Sequence, residues 1–525
     1  MDKKFFSSPA SPVVKTKAGA YRGYYFDGIY HFLGMRYATA KRFEMPVEPE
    51  PFEGVRDALA YGKICPLLED PSPSDEIIVP HRFWPMSEDC LNLNVWTKSL
   101  SEEEKLPVMV WFHGGGFFSG SSIEHIAYEG DNLARKDVVL VSVNHRLNVF
   151  GHLDMSPFGE KYRNSVNAGI VDLLYSLRWV KENIQRFGGD PENVTIFGQS
   201  GGGEKVTTLG QAQEADGYFQ KAIIMSGIFP DHEIYPEPEP KELVLEILNA
   251  LKLSEEDVDE LQEVPVPVLI AAVNKAIHAV GRRGKTVQWR PHPNEWYVGN
   301  PLEVGFREEY KKIPTMVGTV YSEFVNAPTK KDKKEMSEEE KRAWLQEKYG
   351  ENTDRLIETY KKVYPDRDIC YAAAVDMLSG PVSVEYARVK SEGEHAPNYA
   401  YLFAQDFDYD NGRPAWHCAD IPFCFNNASR IPYTYSIPNW EELNRVMSDA
   451  FVNFARTGCP DTEGLPKWEP VLPDAAWRMV FGSKNECRLD HDRELMALLQ
   501  EIEPDPFEFD HSPRDEEDEE KAWIY

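Results

Sequence analysis

The chain of 525 residues has only 7 cysteines, no Cys-x-x-Cys pair, and no apolar run of bilayer-spanning length. An odd number of widely scattered cysteines argues against a disulfide framework and for a reducing compartment. A spanning helix needs about eighteen or more apolar residues in a row, so no membrane partner is expected. The start, Met1-Asp2-Lys3-Lys4-Phe5-Phe6-Ser7-Ser8-Pro9, is charged but leads into no sustained apolar stretch. It does not read as a signal peptide, and a cytoplasmic location is expected. Positive charge is also scarce: 57 Lys and Arg stand against 87 Asp and Glu, a net charge of −30. Such a field repels phosphate backbones, which excludes nucleic acid as an expected partner. Part of it lies in Asp515-Glu516-Glu517-Asp518-Glu519-Glu520, read as a solvated acidic tail over residues 511–525.

What is abundant is core-forming material, 42% apolar and 12% aromatic, enough for a large globular fold. Short apolar, β-branched runs recur at Val108–Phe112, Val138–Val143, Val194–Phe197 and Ala222–Met225. Near-continuous apolar strands belong to a sheet covered on both faces. Between two of them, Ile170–Val180 has the apolar spacing of a helix packed on that sheet. Alternating strands and helices predict a mostly parallel α/β sheet. After Met225 the texture changes to helical segments. One runs over Leu243–Leu253, another starts at Ser254, and Ser337 with Glu340 has capping-box spacing. Strand-like runs return at Thr315–Val317 and Tyr399–Phe403. The expected organisation is a single domain over 1–510, with helical insertions at about 230–312 and 327–396.

Two segments carry chemistry directly. Gly198-Gln199-Ser200-Gly201-Gly202 follows a predicted strand and precedes a predicted helix. A G-x-S-x-G turn in that setting lifts a serine hydroxyl out of a sharp elbow, with a helix N-terminus beneath it. His113-Gly114-Gly115-Gly116-Phe117 follows the strand ending at Phe112. Consecutive glycines leave backbone N–H groups free to face a carbonyl oxygen as an oxyanion hole. No Gly-Lys-Ser/Thr follows them, so a phosphate loop is excluded. With a serine nucleophile the chain order should be serine, acid, histidine. Glu323, after the strand at Thr315, and His417, after the strand at Tyr399, satisfy that order. With thirteen histidines in the chain, position alone leaves other candidates open for both roles.

Over most of its length the sequence resembles the type-B carboxylesterases, the cholinesterase-like branch of the α/β-hydrolases. Phe187 through Gly202 matches that family's serine signature, and Ser87-Glu88-Asp89-Cys90-Leu91-Asn92-Leu93-Asn94-Val95-Trp96 its second signature. Phe32-Leu33-Gly34-Met35-Arg36-Tyr37-Ala38 resembles its N-terminal motif. The resemblance implies an α/β-hydrolase fold and hydrolysis of small-molecule carboxylic esters through an acyl-enzyme. It assigns Ser200, Glu323 and His417 as the triad and Gly115, Gly116 and Gly201 as the oxyanion donors. Ser226 matches a serine that helps hold the acid. No cofactor and no metal is implied, and no His-Glu-x-x-His occurs.

The chain departs from that family at Gln199, where a glutamate is usual before the serine. The neutral amide removes a charge beside the site, which disfavours cationic choline substrates and makes His417 harder to protonate. Asn92 replaces a more usual aromatic or threonine, with little effect expected. Cys65 and Cys90 sit where secreted relatives form a disulfide, and a free pair is equally expected here. Phe117, Phe118 and Trp416 are candidate pocket walls, with ordinary core packing as the competing reading. Arg282, Arg283, Lys285 and Arg290 could attract an anionic substrate tail or simply be a solvated patch. An amidase, a feruloyl- or polyester-directed hydrolase, and a non-catalytic relative remain as alternatives.

Overall fold

The β-branched runs assemble into one twelve-stranded sheet. In the computed structural model, residues 4–69, 77–230, 236–325 and 327–503 are described. The acidic tail expected over 511–525 lies outside them. The strands are β1 (Phe5–Phe6), β2 (Tyr24–Phe26), β3 (Ile29–Arg36), β4 (Asn92–Thr97), β5 (Leu106–Phe112) and β6 (Val139–Val143). They continue with β7 (Gly189–Gln199), β8 (Lys221–Met225), β9 (Thr315–Val320), β10 (Asn398–Phe403), β11 (Trp477–Phe481) and β12 (Glu486–Leu489). Their spatial order is β1-β2-β3-β4-β6-β5-β7-β8-β9-β10-β11-β12. From β6 to β11 every neighbour is parallel, and both flanks are antiparallel.

Strand alternation divides the core between the two faces. Val108, Val110 and Phe112 of β5 enter one apolar cluster, while Met109 and Trp111 enter the other. The first is covered by the helix Ala168–Asn183, whose Ile170, Leu173, Leu174 and Leu177 point inward. The second is covered by the helix Trp440–Thr457 through Leu443, Met447, Phe451 and Phe454. Both faces are therefore dry, which explains why the strands read as continuous apolar runs.

Elements found in the sequence sit where their patterns put them, with shifted bounds: β5 begins earlier, at Leu106, whereas β6 begins at Val139 rather than Val138 and the helix expected to reach Leu253 ends at Leu251. The serine-signature strand starts at Gly189 rather than Val194, with a slip of register against β5 between those two residues. Pro191 can donate no ladder hydrogen bond, which suits that irregular stretch. Beyond β8, helices occupy Pro240–Leu251, Val266–Gly281, Glu338–Tyr349, Thr353–Val363 and Ser379–Lys390. Ser337 caps the third of these in a reciprocal box: its Oγ accepts the Glu340 N–H at 3.2 Å, and Glu340 accepts the Ser337 N–H at 2.7 Å. The segment after Ser254 is a 3-10 turn, Glu255–Gln262, rather than an α-helix. Cys65 and Cys90 are buried free thiols. No helix among the described residues is long and apolar enough to cross a membrane.

Candidate active site

Five neighbouring parallel strands, β5, β7, β8, β9 and β10, end on the same edge of the sheet. The loops that leave them bring Gly114–Gly116, Ser200, Ser226, Glu323 and His417 together. In open α/β sheets this carboxyl edge is where sites form.

Ser200 is the first residue past β7 and caps the helix Gly201–Gly210. Its backbone stands at φ 57°, ψ −132°, a region that costs a non-glycine residue on the order of 1–3 kcal/mol. Two backbone bonds hold it there. Ser200 N–H donates to Met225 C=O at 2.8 Å, and Gly203 N–H donates to Ser200 C=O at 2.7 Å. Strain overruled by the surroundings is the signature of a nucleophile elbow.

Glu323 and His417 are buried and doubly joined. His417 Nδ1 lies 2.6 Å from Glu323 Oε2, and His417 N–H donates to Glu323 C=O at 2.9 Å. Glu323 Oε1 accepts the Val320 N–H at 2.9 Å. On the far side of the ring, His417 Nε2 meets Gln199 Nε2 at 3.1 Å, and Cys418 Sγ donates to Gln199 Oε1 at 3.2 Å. This chain of bonds selects one tautomer. With the Gln199 oxygen accepting from Cys418, its amide nitrogen donates, so His417 Nε2 accepts and Nδ1–H donates to Glu323.

Across from Glu323 and His417, a side chain on Gly114 would touch Ser200 Cβ at 3.5 Å, which places this loop against the elbow. Gly115 and Gly116 have φ of 80° and 57°. Among the described residues, the N–H groups of Gly115, Gly116 and Gly201 donate to no turn, loop or cap partner. Gly201 packs so tightly on Gly116 that an added Cβ would meet its backbone oxygen at 2.3 Å. Beneath the loop, Lys205 is fully buried and donates to His113 C=O at 2.9 Å. Burial pushes its ammonium down from 10.5 to about 7.

Three carboxyls crowd the acid side. Asp376 and Asp420 are both buried and both raised from 3.8 to about 7, first by desolvation and then by the charge of Glu323. Asp376 accepts backbone N–H groups from Gly380 at 2.5 Å and Leu378 at 3.0 Å. Asp420 accepts the Tyr401 hydroxyl at 2.7 Å.

Other expected residues fall differently. The Ser226 Oγ is buried and has no hydrogen-bond partner among the described residues, so the Val320 N–H, and not Ser226, holds the Glu323 carboxylate. Phe117 and Trp416 are core aromatics. Phe117 lies edge-on to His152, and Trp416 packs on Tyr433 at 4.8 Å and Phe407 at 5.1 Å. Of the three pocket candidates, only Phe118 stays open to solvent, at 38% exposure. The basic cluster is largely neutralised: Arg283 and Lys285 pair with Glu242, and Arg290 with Glu237. Arg282 alone of the four has no ion pair among the described residues, which weakens the basis for an anion-attracting patch.

Sequence reasoning missed Phe324, whose ring lies over His417 at 4.1 Å and is 56% exposed, with Phe229 at 6.2 Å from it. It also missed Asp376, Asp420 and Lys205. Only Lys205 left a signal, since its helical phase with Gly202, Val206 and Leu209 is that of the covered face.

The same architecture recurs in proteins of known activity. The model of the carboxylesterase family matches residues 10–496. The para-nitrobenzyl esterase of Bacillus subtilis (strain 168) is 31% identical over 502 residues, covering 93% of this chain and 98% of its own. The acylcarnitine hydrolase of Mus musculus is 30% identical over 537 residues, covering 95% of this chain and 89% of its own. A solved structure of an esterase from anaerobic Clostridium hathewayi, described as able to hydrolyse aliphatic aromatic polyesters, is 43% identical. It superimposes with a TM-score of 0.92 over 95% of this chain and 100% of that one. The chain belongs to the carboxylesterase family and is a carboxylic ester hydrolase of the α/β-hydrolase fold.

Proposed function

We propose that ester cleavage runs through an acyl-enzyme on Ser200, with His417 as general base and Glu323 as the acid that orients it. The observation that carries this reading is the buried 2.6 Å His417–Glu323 pair, tied to Gln199, the residue next to Ser200. Glu323 fixes Nδ1–H, so Nε2 carries the lone pair that takes the serine proton. Gln199 occupies that lone pair at rest and yields it when the Ser200 hydroxyl turns to the ring. As Ser200 Oγ attacks the carbonyl, the developing oxyanion is received by the N–H groups of Gly115, Gly116 and Gly201. Each such donor is worth about 3 kcal/mol in the transition state. His417 then protonates the departing alcohol, and the same ring activates the water that releases the acid.

The substrates that fit best are neutral esters with apolar flanks. Gln199 supplies no charge to select a cation, and Arg283, Lys285 and Arg290 of the basic cluster are paired with Glu242 and Glu237 rather than open to an anion. A second reading, hydrolysis of aliphatic-aromatic polyesters, is favoured by the open rings of Phe324 and Phe118 and by the 43% identical relative of that description. A panel of nitrophenyl, feruloyl, terephthalate-type and amide substrates tests both, with Ser200→Ala as control. Ester turnover that disappears in Ser200→Ala is expected. Equal rates in the two proteins would overturn the assignment of Ser200.

A further inference from the structure

A second group of chemically competent side chains lies behind the oxyanion loop, outside the site just described. His81, Glu124 and His125 each offer a donor atom, and the three donors lie within 4.8 Å of one another. We propose that these residues form a zinc-type divalent metal site that braces the loop carrying the oxyanion glycines. Two imidazoles and one carboxylate are a borderline donor set. It suits Zn²⁺ and disfavours Mg²⁺ and Ca²⁺, which prefer oxygen.

The geometry is close to what such an ion needs. Tetrahedral zinc with donors about 2.0–2.1 Å from the metal requires them about 3.3 Å from each other. His125 Nε2 and Glu124 Oε1 are already 3.5 Å apart. The His81 ring centroid is 5.1 Å from that of His125, so a side-chain rotation closes the third contact. Each part of the frame is oriented in advance. Glu124 Oε2 accepts the Ser121 N–H at 3.2 Å, leaving Oε1 directed at the histidines. The buried His125 ring stands edge-on to Tyr128 at 4.7 Å. Glu124 C=O accepts the Arg82 N–H at 2.9 Å, which fixes the strand of chain that carries His81. Such outer contacts set ligand direction in metal sites generally. His81 and Glu124 are half-buried, so an ion can enter from solvent and keep a water in its fourth position.

The position gives the ion something to do. A side chain on Gly120 would lie 3.2 Å from Glu124 Oε1 and 2.9 Å from both His113 Nδ1 and Gly114 C=O. Glu124 Oε1 is thus one layer of atoms from Gly114, at the head of the glycine loop. An ion there would cross-link residues 81 and 124–125 and stiffen the turn between them and Gly114–Gly116. The role is structural and leaves the ester chemistry with Ser200.

The test uses the full chain, stripped with a chelator and then given one equivalent of Zn²⁺. After gel filtration, atomic absorption should find one zinc per chain, and the Tm should rise; Mg²⁺ should do neither. His81→Gln and, independently, Glu124→Gln should lose the bound zinc and the Tm rise while keeping the Tm of the stripped protein. The second variant retains an acceptor for the Ser121 N–H, so it serves if the first folds poorly. No retained zinc, or full retention in both variants, would overturn the proposal. Neither readout depends on esterase activity, so the outcome is independent of the assignment of Ser200.

Discussion

On one side of Ser200 the oxyanion loop is held by backbone against backbone, with Gly201 pressed on Gly116 and Lys205 bonded to His113 C=O. On the other side, Glu323 and His417 are held by side-chain hydrogen bonds inside a nest of buried carboxyls. The first half is set by shape and the second by charge. The two should therefore fail differently: the loop when volume is added, and the acid–base pair when a proton or a charge is moved.

The largest effect expected breaks the charge half. Glu323→Gln keeps the size of the side chain but presents an amide to Nδ1, so the wrong tautomer is favoured. A fall in kcat of about 10³–10⁴-fold is expected, with KM nearly unchanged, read by steady-state hydrolysis of a nitrophenyl ester. Next, Gly201→Ala adds a single methyl where the Gly116 backbone already stands. The loop must move and at least one donor is lost, so kcat should fall by about 10²–10³-fold. A glycine-to-alanine change that left kcat intact would show that the shape half is softer than its contacts imply.

These two halves were unequally legible in the sequence. The elbow and the glycine loop are contiguous, and their residue types are dictated locally by turns that only glycine or a strained serine can make. Ser200 and Gly114–Gly116 could be placed from strand, turn and helix signals alone. Glu323 and His417 could not, because what joins them is the neighbouring of β9 and β10 in the sheet, which spacing along the chain does not encode. Asp376 and Asp420 left no pattern at all, since their burial depends on segments far from them. Phe117 and Trp416 show the converse limit. An aromatic beside a candidate site residue in sequence can pack into the core, as Phe117 and Trp416 do, whereas Phe324, beside Glu323, lies against the His417 ring.

A smaller effect is expected at Lys205. Lys205→Met removes the donor to His113 C=O and leaves a buried carbonyl unpaired, a loss of about 1–3 kcal/mol. If about half of that reaches the glycine loop, kcat falls about two- to tenfold. The same substitution has a pH signature. With Lys205 near 7 in the folded protein and 10.5 in the unfolded chain, only the unfolded chain holds that proton between those values. Stability contributed by this group therefore rises with pH from about 7 to about 10.5 and is lowest below 7. Denaturant unfolding at several pH values should show that rise in the wild type and its absence in Lys205→Met.

The smallest effect sharpens the charge half. Gln199→Glu puts a carboxylate against His417 Nε2, where the amide now lies at 3.1 Å. The protonated ring is then favoured, and the acid limb of the kcat/KM profile should move to higher pH by about one unit, the equivalent of about 1.4 kcal/mol. An unmoved limb would mean that the proton transfer runs through some other group.

Acylation of Ser200 can be observed directly. Mixing the enzyme with a slowly deacylating nitrophenyl ester, quenching in acid and measuring the intact mass should show one added acyl group. Peptide mapping should then place it on Ser200, within the segment Gly198–Gly202. Full turnover with no adduct, or an adduct on any other residue, would contradict the account.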